Sequence, residues 1–184
     1  MKPATPDGAD KDALEMLKSD HDQVKALFRE FDALKGNGGA HRRKGELVDA
    51  ICRALTLHSR LEEEIFYPAL RAASGADDEE LLDEADIEHA GARELIGQLD
   101  IMAPGDDHYD ATVTVLGEEV MHHIDKEESE LFDLARAAGL ALHALGHRLA
   151  ARKEELEDDL ASPPPTLEAM QPHVRMRRQP RAPN

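Results

Sequence analysis

Four stretches of this sequence carry apolar side chains at alternating steps of three and four residues, and polar side chains interrupt each apolar stripe near its middle. Such a spacing places the stripe on one face of an α-helix, so four helices can share one core. The interrupting residues are His21, His58, Glu62, His89, His123 and Glu127. The pattern predicts an all-α, up-down four-helix bundle with a polar layer across its core.

The apolar parts of the stripes are built mainly from Leu, Ile, Val and Ala, because the chain has no Trp and few other aromatic residues. They predict the buried faces of the four helices. The predicted core positions are Leu14, Leu17, Val24, Phe28 and Phe31, then Val48, Ile51, Leu55, Ile65 and Ala69, then Leu82, Ala85, Ala92, Ile96 and Leu99, and finally Val113, Leu116, Val120, Leu131 and Leu134.

Glycine and proline clusters divide the chain. They predict helices over about 10–35, 41–72, 77–101 and 108–137, and a fifth, weaker one over about 140–161. Pro68 predicts a kink or an early end of the second helix. The domain organisation expected is a disordered leader (1–9), a helical bundle with an additional C-terminal helix (10–161) and a flexible Pro/Arg-rich tail (162–184).

The charge and cysteine content restrict the classes of partner and compartment. With 22 basic and 39 acidic residues, the formal net charge is −17, which opposes binding to nucleic acid and to anionic membrane surfaces. A single cysteine, Cys52, cannot form an internal disulfide. No apolar run is long enough to span a membrane, and the N-terminus lacks a signal-peptide pattern, so we expect a cytoplasmic protein.

The polar layer has the composition of a metal site. A bare carboxylate in an apolar core is costly, and imidazoles supply no permanent positive charge to balance it. His58 and Glu62 are four residues apart, as are His123 and Glu127, so each pair lies on one helix face. Two metal ions between the helices would supply the missing charge. Imidazole and carboxylate ligands suit iron, manganese or zinc.

Other arrangements of the same residue types are less complete. A Glu-x-x-His pair typical of ferritin-like bundles occurs once, at Glu119 and His122, without the counterpart that such a centre needs. His143 and His147 share a face of the fifth helix and are expected to be surface or packing residues. Cys52 is expected to be a buried, inert thiol.

Four segments carry a resemblance to a known family. They are KSDH (18–21), HSRLEEEIFYP (58–68), EH (88–89) and HIDKEESELF (123–132). Together they resemble the hemerythrin HHE cation-binding family over about residues 12–137. The resemblance implies a four-helix bundle with a non-haem di-iron centre, in which carboxylates and an oxo or hydroxo group bridge the two iron ions. Manganese or zinc is a possible substitute.

The chain departs from the oxygen-carrying members of that family. Those carriers have a second histidine one turn from the third-helix histidine, where this chain has Ala85 and Arg93. They also have His-x-x-x-x-Asp on the last helix, where this chain has Glu127 at the fourth position and Glu128 at the fifth. We expect Glu63 and Glu128 to be solvated rather than to support the ligands.

One imidazole fewer leaves room for a small molecule. We therefore expect O2, H2O2 or NO as the ligand, with peroxide turnover or an O2, NO or redox response favoured over reversible oxygen transport. The alternatives are an iron- or oxygen-sensing protein that signals to a partner, and a small ferroxidase. The sequence leaves the oligomeric state open.

Overall fold

The computed structural model describes residues 11–75 and 78–161, and these residues form helices and turns without any strand. The predicted leader and tail lie outside the described residues. Two short π-helical segments, Glu62–Phe66 and Glu127–Leu131, continue α2 into α3 and α5 into α6, so the chain forms five helical rods. The helices are α1 (Ala13–Ala33), α2 (His41–Leu61), α3 (Tyr67–Ala73), α4 (Glu79–Leu99), α5 (Tyr109–Lys126), α6 (Phe132–Ala137) and α7 (Leu142–Ala161).

The start of α1 has a complete capping box. The Asp12 side chain accepts a hydrogen bond from the backbone N–H of Glu15 (2.9 Å), and the Glu15 carboxylate accepts one from the N–H of Asp12 (3.1 Å). Both contacts satisfy amide groups that have no partner inside the helix. They fix the register of the rod that carries His21.

The two π-helical segments begin at equivalent positions, four residues after His58 and after His123. Pro68 follows the first segment, but the second rod continues past it to Ala73, so the predicted early end is wrong. No proline follows the second segment. What the two segments share is a buried glutamate at their first position, which agrees with the frequent occurrence of π-helical turns at functional sites.

Each π-helical segment moves the buried stripe by one residue. The sequence pattern predicts Ala69 and Leu134 as core positions, but Leu70 and Ala135 are fully buried instead, whereas Ala69 and Leu134 are half-buried. A π turn contains one residue more than the regular α-helical repeat, so every later side chain is rotated. The predicted stripe is correct as far as Ile65 and Leu131, which are buried, and is one residue out of phase after each π-helical segment.

The polar layer separates two apolar clusters. One cluster includes Leu17, Leu61 and Phe66, and the other includes Val24, Ile51 and Leu116. The fifth rod, α7, packs outside the four-rod bundle against α1 and α2, and Leu145, Leu149 and Leu156 join it to the first cluster. The four rods thus enclose the polar layer, and α7 covers one side of it.

None of the described helices is long and apolar enough to cross a membrane.

Candidate metal centre

The six predicted ligand residues meet in one buried layer. Their exposed fractions run from 0% for His21 and Glu62 to 7% for His123. His21 comes from α1, His58 from α2, His89 from α4 and His123 from α5, while Glu62 and Glu127 open the two π-helical segments. Neighbouring rods that run past each other place mid-helix residues at the same level.

The histidines meet in two pairs through their Nε2 atoms. Nε2 of His21 lies 3.0 Å from Nε2 of His58, and Nε2 of His89 lies 3.2 Å from Nε2 of His123. The Glu62 carboxylate spans the two pairs, with one oxygen 2.9 Å from His58 Nε2 and the other 3.3 Å from His89 Nε2. A carboxylate in that position can bridge two metal ions.

The second carboxylate, Glu127, completes the larger of two groups of candidate ligands. Glu127 Oε2 lies 3.0 Å from Nε2 of His21 and 4.0 Å from Nε2 of His123. In each group, the ligand atoms lie within 4.8 Å of one another. The group of four consists of His21, His58, Glu62 and Glu127, and the group of three consists of Glu62, His89 and His123.

The donor set fits metal ions and not a closed hydrogen-bond network. Within the described residues, neither oxygen of Glu62 nor of Glu127 has a well-directed hydrogen-bond partner, despite the short distances to the imidazoles. Four buried carboxylate oxygens and four facing ring nitrogens are therefore short of positive charge. Buried polar groups of this kind are normally paired or bound to a metal. Imidazole with carboxylate suits iron, manganese and zinc alike.

The pKa values of the two glutamates are pushed apart. Burial raises the pKa of Glu62, but the opposing effects of His58 and His89 are larger and hold it well below the usual value. Burial and the charge of Glu62 raise the pKa of Glu127. Two carboxylates that repel each other in a buried layer are stabilised when cations lie between them.

Carboxylates from neighbouring rods orient the outer nitrogens of three histidines. The Nδ1–H group of each of these histidines donates a hydrogen bond to one carboxylate, which leaves the Nε2 lone pair pointing into the layer. The contacts are His21 to Glu128 (3.1 Å), His89 to Glu63 (2.9 Å) and His123 to Glu88 (2.8 Å).

His58 is the exception. Its Nδ1 atom is buried and has no hydrogen-bond partner among the described residues; the nearest carboxylate oxygen, on Asp20, is 4.0 Å away. With Asp20 included, each of the four rods sends a carboxylate toward the histidine of the next rod.

The prediction that Glu63 and Glu128 are solvated is wrong, because both bind a histidine Nδ1. Glu128 also contacts Lys18 and Lys25, which together with His21 outweigh its partial burial and lower its pKa to about 2. The roles of Asp20 and Glu88 were not predicted. Adjacency could have indicated all four carboxylates, since each is the direct sequence neighbour of a predicted ligand.

Tyr67 adds a phenol to the layer. It is fully buried, and its hydroxyl lies 3.4 Å from Nε2 of His89. Burial and the charges of Glu62 and Glu127 raise its pKa well above the usual value. The hydroxyl therefore keeps its proton beside the three-residue group.

A small cavity of about 40 Å³ opens beside the four histidines. A water molecule occupies about 10–15 Å³ on this measure, so the cavity has room for a molecule of two or three heavy atoms. The apolar residues that line it are Val24, Leu55, Ala92, Ile96, Val120 and Ile124.

The other residues considered from the sequence do not join the layer. His122 is 75% exposed, and His143 and His147 are exposed, as predicted for surface residues. Cys52 is half-buried, and burial is the main cause that raises its pKa to about 12, so its thiol is poorly reactive.

Known proteins resemble the chain in sequence and in fold. Residues 12–135 match the family model described as the hemerythrin HHE cation binding domain. A protein of Mycobacterium kansasii that contains this domain has a crystal structure matching with a TM-score of 0.69 at 25% identity, over 82% of this chain and 90% of that chain.

Two curated relatives differ in how much of their length is matched. A protein of Mycobacterium tuberculosis, described as uncharacterised, is 28% identical over 153 residues, which cover 78% of this chain and 86% of the relative. A DNA nickase of Nostoc is 30% identical over 137 residues, or 72% of this chain. The match spans only 37% of that relative's length.

Proposed function

Because the chain belongs to the hemerythrin HHE cation-binding family, we propose that its buried layer holds two iron ions and that it turns over hydrogen peroxide. The observation that carries the proposal is the set of four buried carboxylate oxygens, on Glu62 and Glu127, without hydrogen-bond partners in the described chain. When bound, the iron pair supplies the electron transfers by which peroxide is both reduced to water and oxidised to O2.

The chain's own residues would hold the pair and keep its spacing. His21 and His58 would serve one side and His89 and His123 the other, with Glu62 between them. The carboxylates Glu63, Glu88 and Glu128 keep three imidazoles in the tautomer whose Nε2 is free to bind.

The choice of substrate rests on size and polarity. The cavity of about 40 Å³ admits H2O2, O2 or NO and excludes ordinary organic substrates. Tyr67 Oη, which keeps its proton, can donate a hydrogen bond to an oxygen atom in the layer. Reduction of peroxide to water cleaves its O–O bond and adds protons to its oxygen atoms, so a nearby proton donor favours that reaction.

Nicking of DNA is not part of the proposal. The chain spans only 37% of the Nostoc relative that carries that name. Its formal charge of −17 also disfavours contact with a polyanion.

Peroxide decay with iron-loaded protein is the direct test. We expect repeated turnover, with O2 released at half the molar amount of peroxide consumed, and loss of that turnover in Glu62→Gln. If decay is absent while the melting temperature rises steeply with iron, metal or oxygen sensing replaces peroxide turnover as the function.

A further inference from the structure

Of the four histidines in the layer, His58 lacks a hydrogen-bonded carboxylate at Nδ1 among the described residues, and it lies on the side that α7 covers. Asp20 is the carboxylate directed toward His58, and it is mostly buried, with 16% of its side chain exposed. Its Oδ2 atom is 4.0 Å from His58 Nδ1, which is beyond hydrogen-bond distance. The three equivalent contacts in the layer measure 2.8–3.1 Å.

A cation from α7 contacts the other carboxylate oxygen of Asp20. Lys153 Nζ donates a hydrogen bond to Asp20 Oδ1 at 2.6 Å, and only 28% of its side chain is exposed. α7 packs closely against the start of α1, since a Cβ added to Gly146 would lie 2.6 Å from the backbone oxygen of Lys11. Charge-assisted contacts of this length are among the stronger hydrogen bonds in proteins.

We propose that Lys153 of α7 is a positioning residue that draws Asp20 away from His58 and so weakens metal binding at the His58 position. The proposal rests on the proposed metal centre. It gives α7, which lies outside the four-rod bundle, control over one of the two metal positions.

The physical reason lies in the orientation and basicity of the imidazole. A carboxylate that accepts the Nδ1–H of a ligating histidine fixes the ring and makes Nε2 a better donor, commonly by about 10–100-fold in metal affinity. His21, His89 and His123 have that support in the described structure, and His58 lacks it. Release of Asp20 from Lys153 would supply it.

The coupling is reciprocal. If contact with α7 lowers the affinity at His58, then metal bound there must lower the strength of that contact by the same factor. The centre and α7 therefore affect each other.

The test uses zinc as the probe, because zinc accepts the same ligands and gives diamagnetic spectra. Zinc affinity is measured by competition with a chelator for wild type, Lys153→Met, Lys153→Arg and Arg152→Met. Arg152 is the matched control: it joins α7 to the first π-helical segment through Glu64 at 2.6 Å without touching Asp20.

We expect Lys153→Met to bind the weaker of two zinc ions about tenfold more tightly than wild type, at the low end of the range for such a contact. Lys153→Arg and Arg152→Met keep the wild-type affinity. Addition of Asp20→Asn to Lys153→Met removes the gain. NMR of the imidazole protons gives a readout that a merely structural role of Lys153 would not change. In Lys153→Met, the signal of the His58 Nδ1 proton moves downfield, toward the Nδ1 signals of the other three histidines of the layer.

Equal zinc affinities and an unmoved His58 proton in Lys153→Met would overturn the proposal, as would weaker binding in that variant alone. An equal change of zinc affinity in Lys153→Met and Arg152→Met would show that the effect comes from the packing of α7, and this result would also overturn the proposal. Failure of the wild type to bind two zinc ions would instead overturn the metal centre itself, and the two failures are thus distinguishable.

Discussion

Nε2 of His21 and Nε2 of His58 face each other at 3.0 Å in the buried layer. The outer nitrogen of His21 already contacts Glu128, so the neutral ring has its lone pair on the inner nitrogen. Glu62 and Glu127 add further lone pairs within the same four-residue group. A group of facing acceptors is stable when a cation lies among them, and this is the physical basis of the proposed metal centre.

The first prediction separates metal binding from stability at Glu127. Replacement of Glu127 by Gln should reduce metal content from two ions per chain and weaken the remaining binding more than tenfold. The metal-free variant should be at least as stable as the metal-free wild type, because burial and the charge of Glu62 raise the pKa of Glu127. Metal analysis and urea unfolding measure the two effects.

Glu130→Gln is the matched control, since Glu130 lies in the same π-helical segment but is exposed. It should keep both ions and the wild-type unfolding curve. A Glu127→Gln protein that retains two tightly bound ions would contradict the assignment of Glu127 as a ligand.

The second prediction concerns the carboxylate next to Glu127 in the sequence. Glu128→Ala removes the acceptor that orients His21, so metal affinity should fall by about 10–100-fold while the fold is kept. Chelator competition measures the fall. Lys18→Gln is the control, because it also removes a contact of Glu128. The Lys18 side chain is 53% exposed, so loss of this contact should change the metal affinity little.

The buried positions of the six candidate ligands were predictable because a polar residue that interrupts an apolar stripe is conspicuous in the sequence. The orienting carboxylates were not, because a residue next to a ligand is rotated about 100° around the helix and reads as solvent-facing. Glu63 and Glu128 in fact lie at the seams between rods, where the neighbouring rod supplies the histidine. Only the packing of the rods shows that these two carboxylates are partly buried against a histidine.

The positions of the buried residues after each π-helical segment were also unpredictable. The stripe with a regular helical period reaches Ala69 and Leu134, whereas the π-helical segments bury Leu70 and Ala135. Leucine and alanine fit either phase, so the residue types could not show the shift. The two buried glutamates of the polar layer stand at the start of both segments, which links the shift to that layer.

The third prediction is a pH dependence of the metal-free protein. Burial lowers the pKa of His58, but the neighbouring carboxylates Glu62, Asp20 and Glu127 together outweigh burial and raise that pKa from 6.5 to about 10. Because the pKa is raised in the folded state, the charged imidazole contributes its full stabilisation at pH values below the pKa of the unfolded chain. This contribution disappears as the pH rises toward 10. Thermal unfolding of chelated protein should therefore show falling stability between about pH 6.5 and 10.

The same pKa predicts release of a proton on metal binding near neutral pH, because a ligating imidazole must be neutral. Calorimetric titrations in two buffers with different ionisation heats measure that release. His58→Gln should abolish both the alkaline loss of stability and the His58 share of the released protons. A flat stability profile over this range in the wild type would contradict the coupling of His58 to Glu62.

The fourth prediction tests the cavity. Val120→Leu adds a methylene group to a space of about 40 Å³ beside the histidines and should slow peroxide decay several-fold at unchanged iron content. Val113→Leu is the matched control, because Val113 is buried on the same helix and does not line that cavity. Both changes should destabilise the fold by a similar amount, about 1–3 kcal/mol. Equal peroxide rates in the two variants would show that substrate does not use the cavity.

The buried layer of imidazoles and carboxylates is proposed to hold a pair of metal ions. Iron analysis of protein purified from cells grown in iron-replete medium, with an optical spectrum to detect a bridged ferric pair, tests it most directly. We predict two iron ions per chain and a bridged-pair spectrum that disappears in Glu62→Gln. A fully folded wild-type chain that is metal-free as purified and takes up no added iron would contradict it.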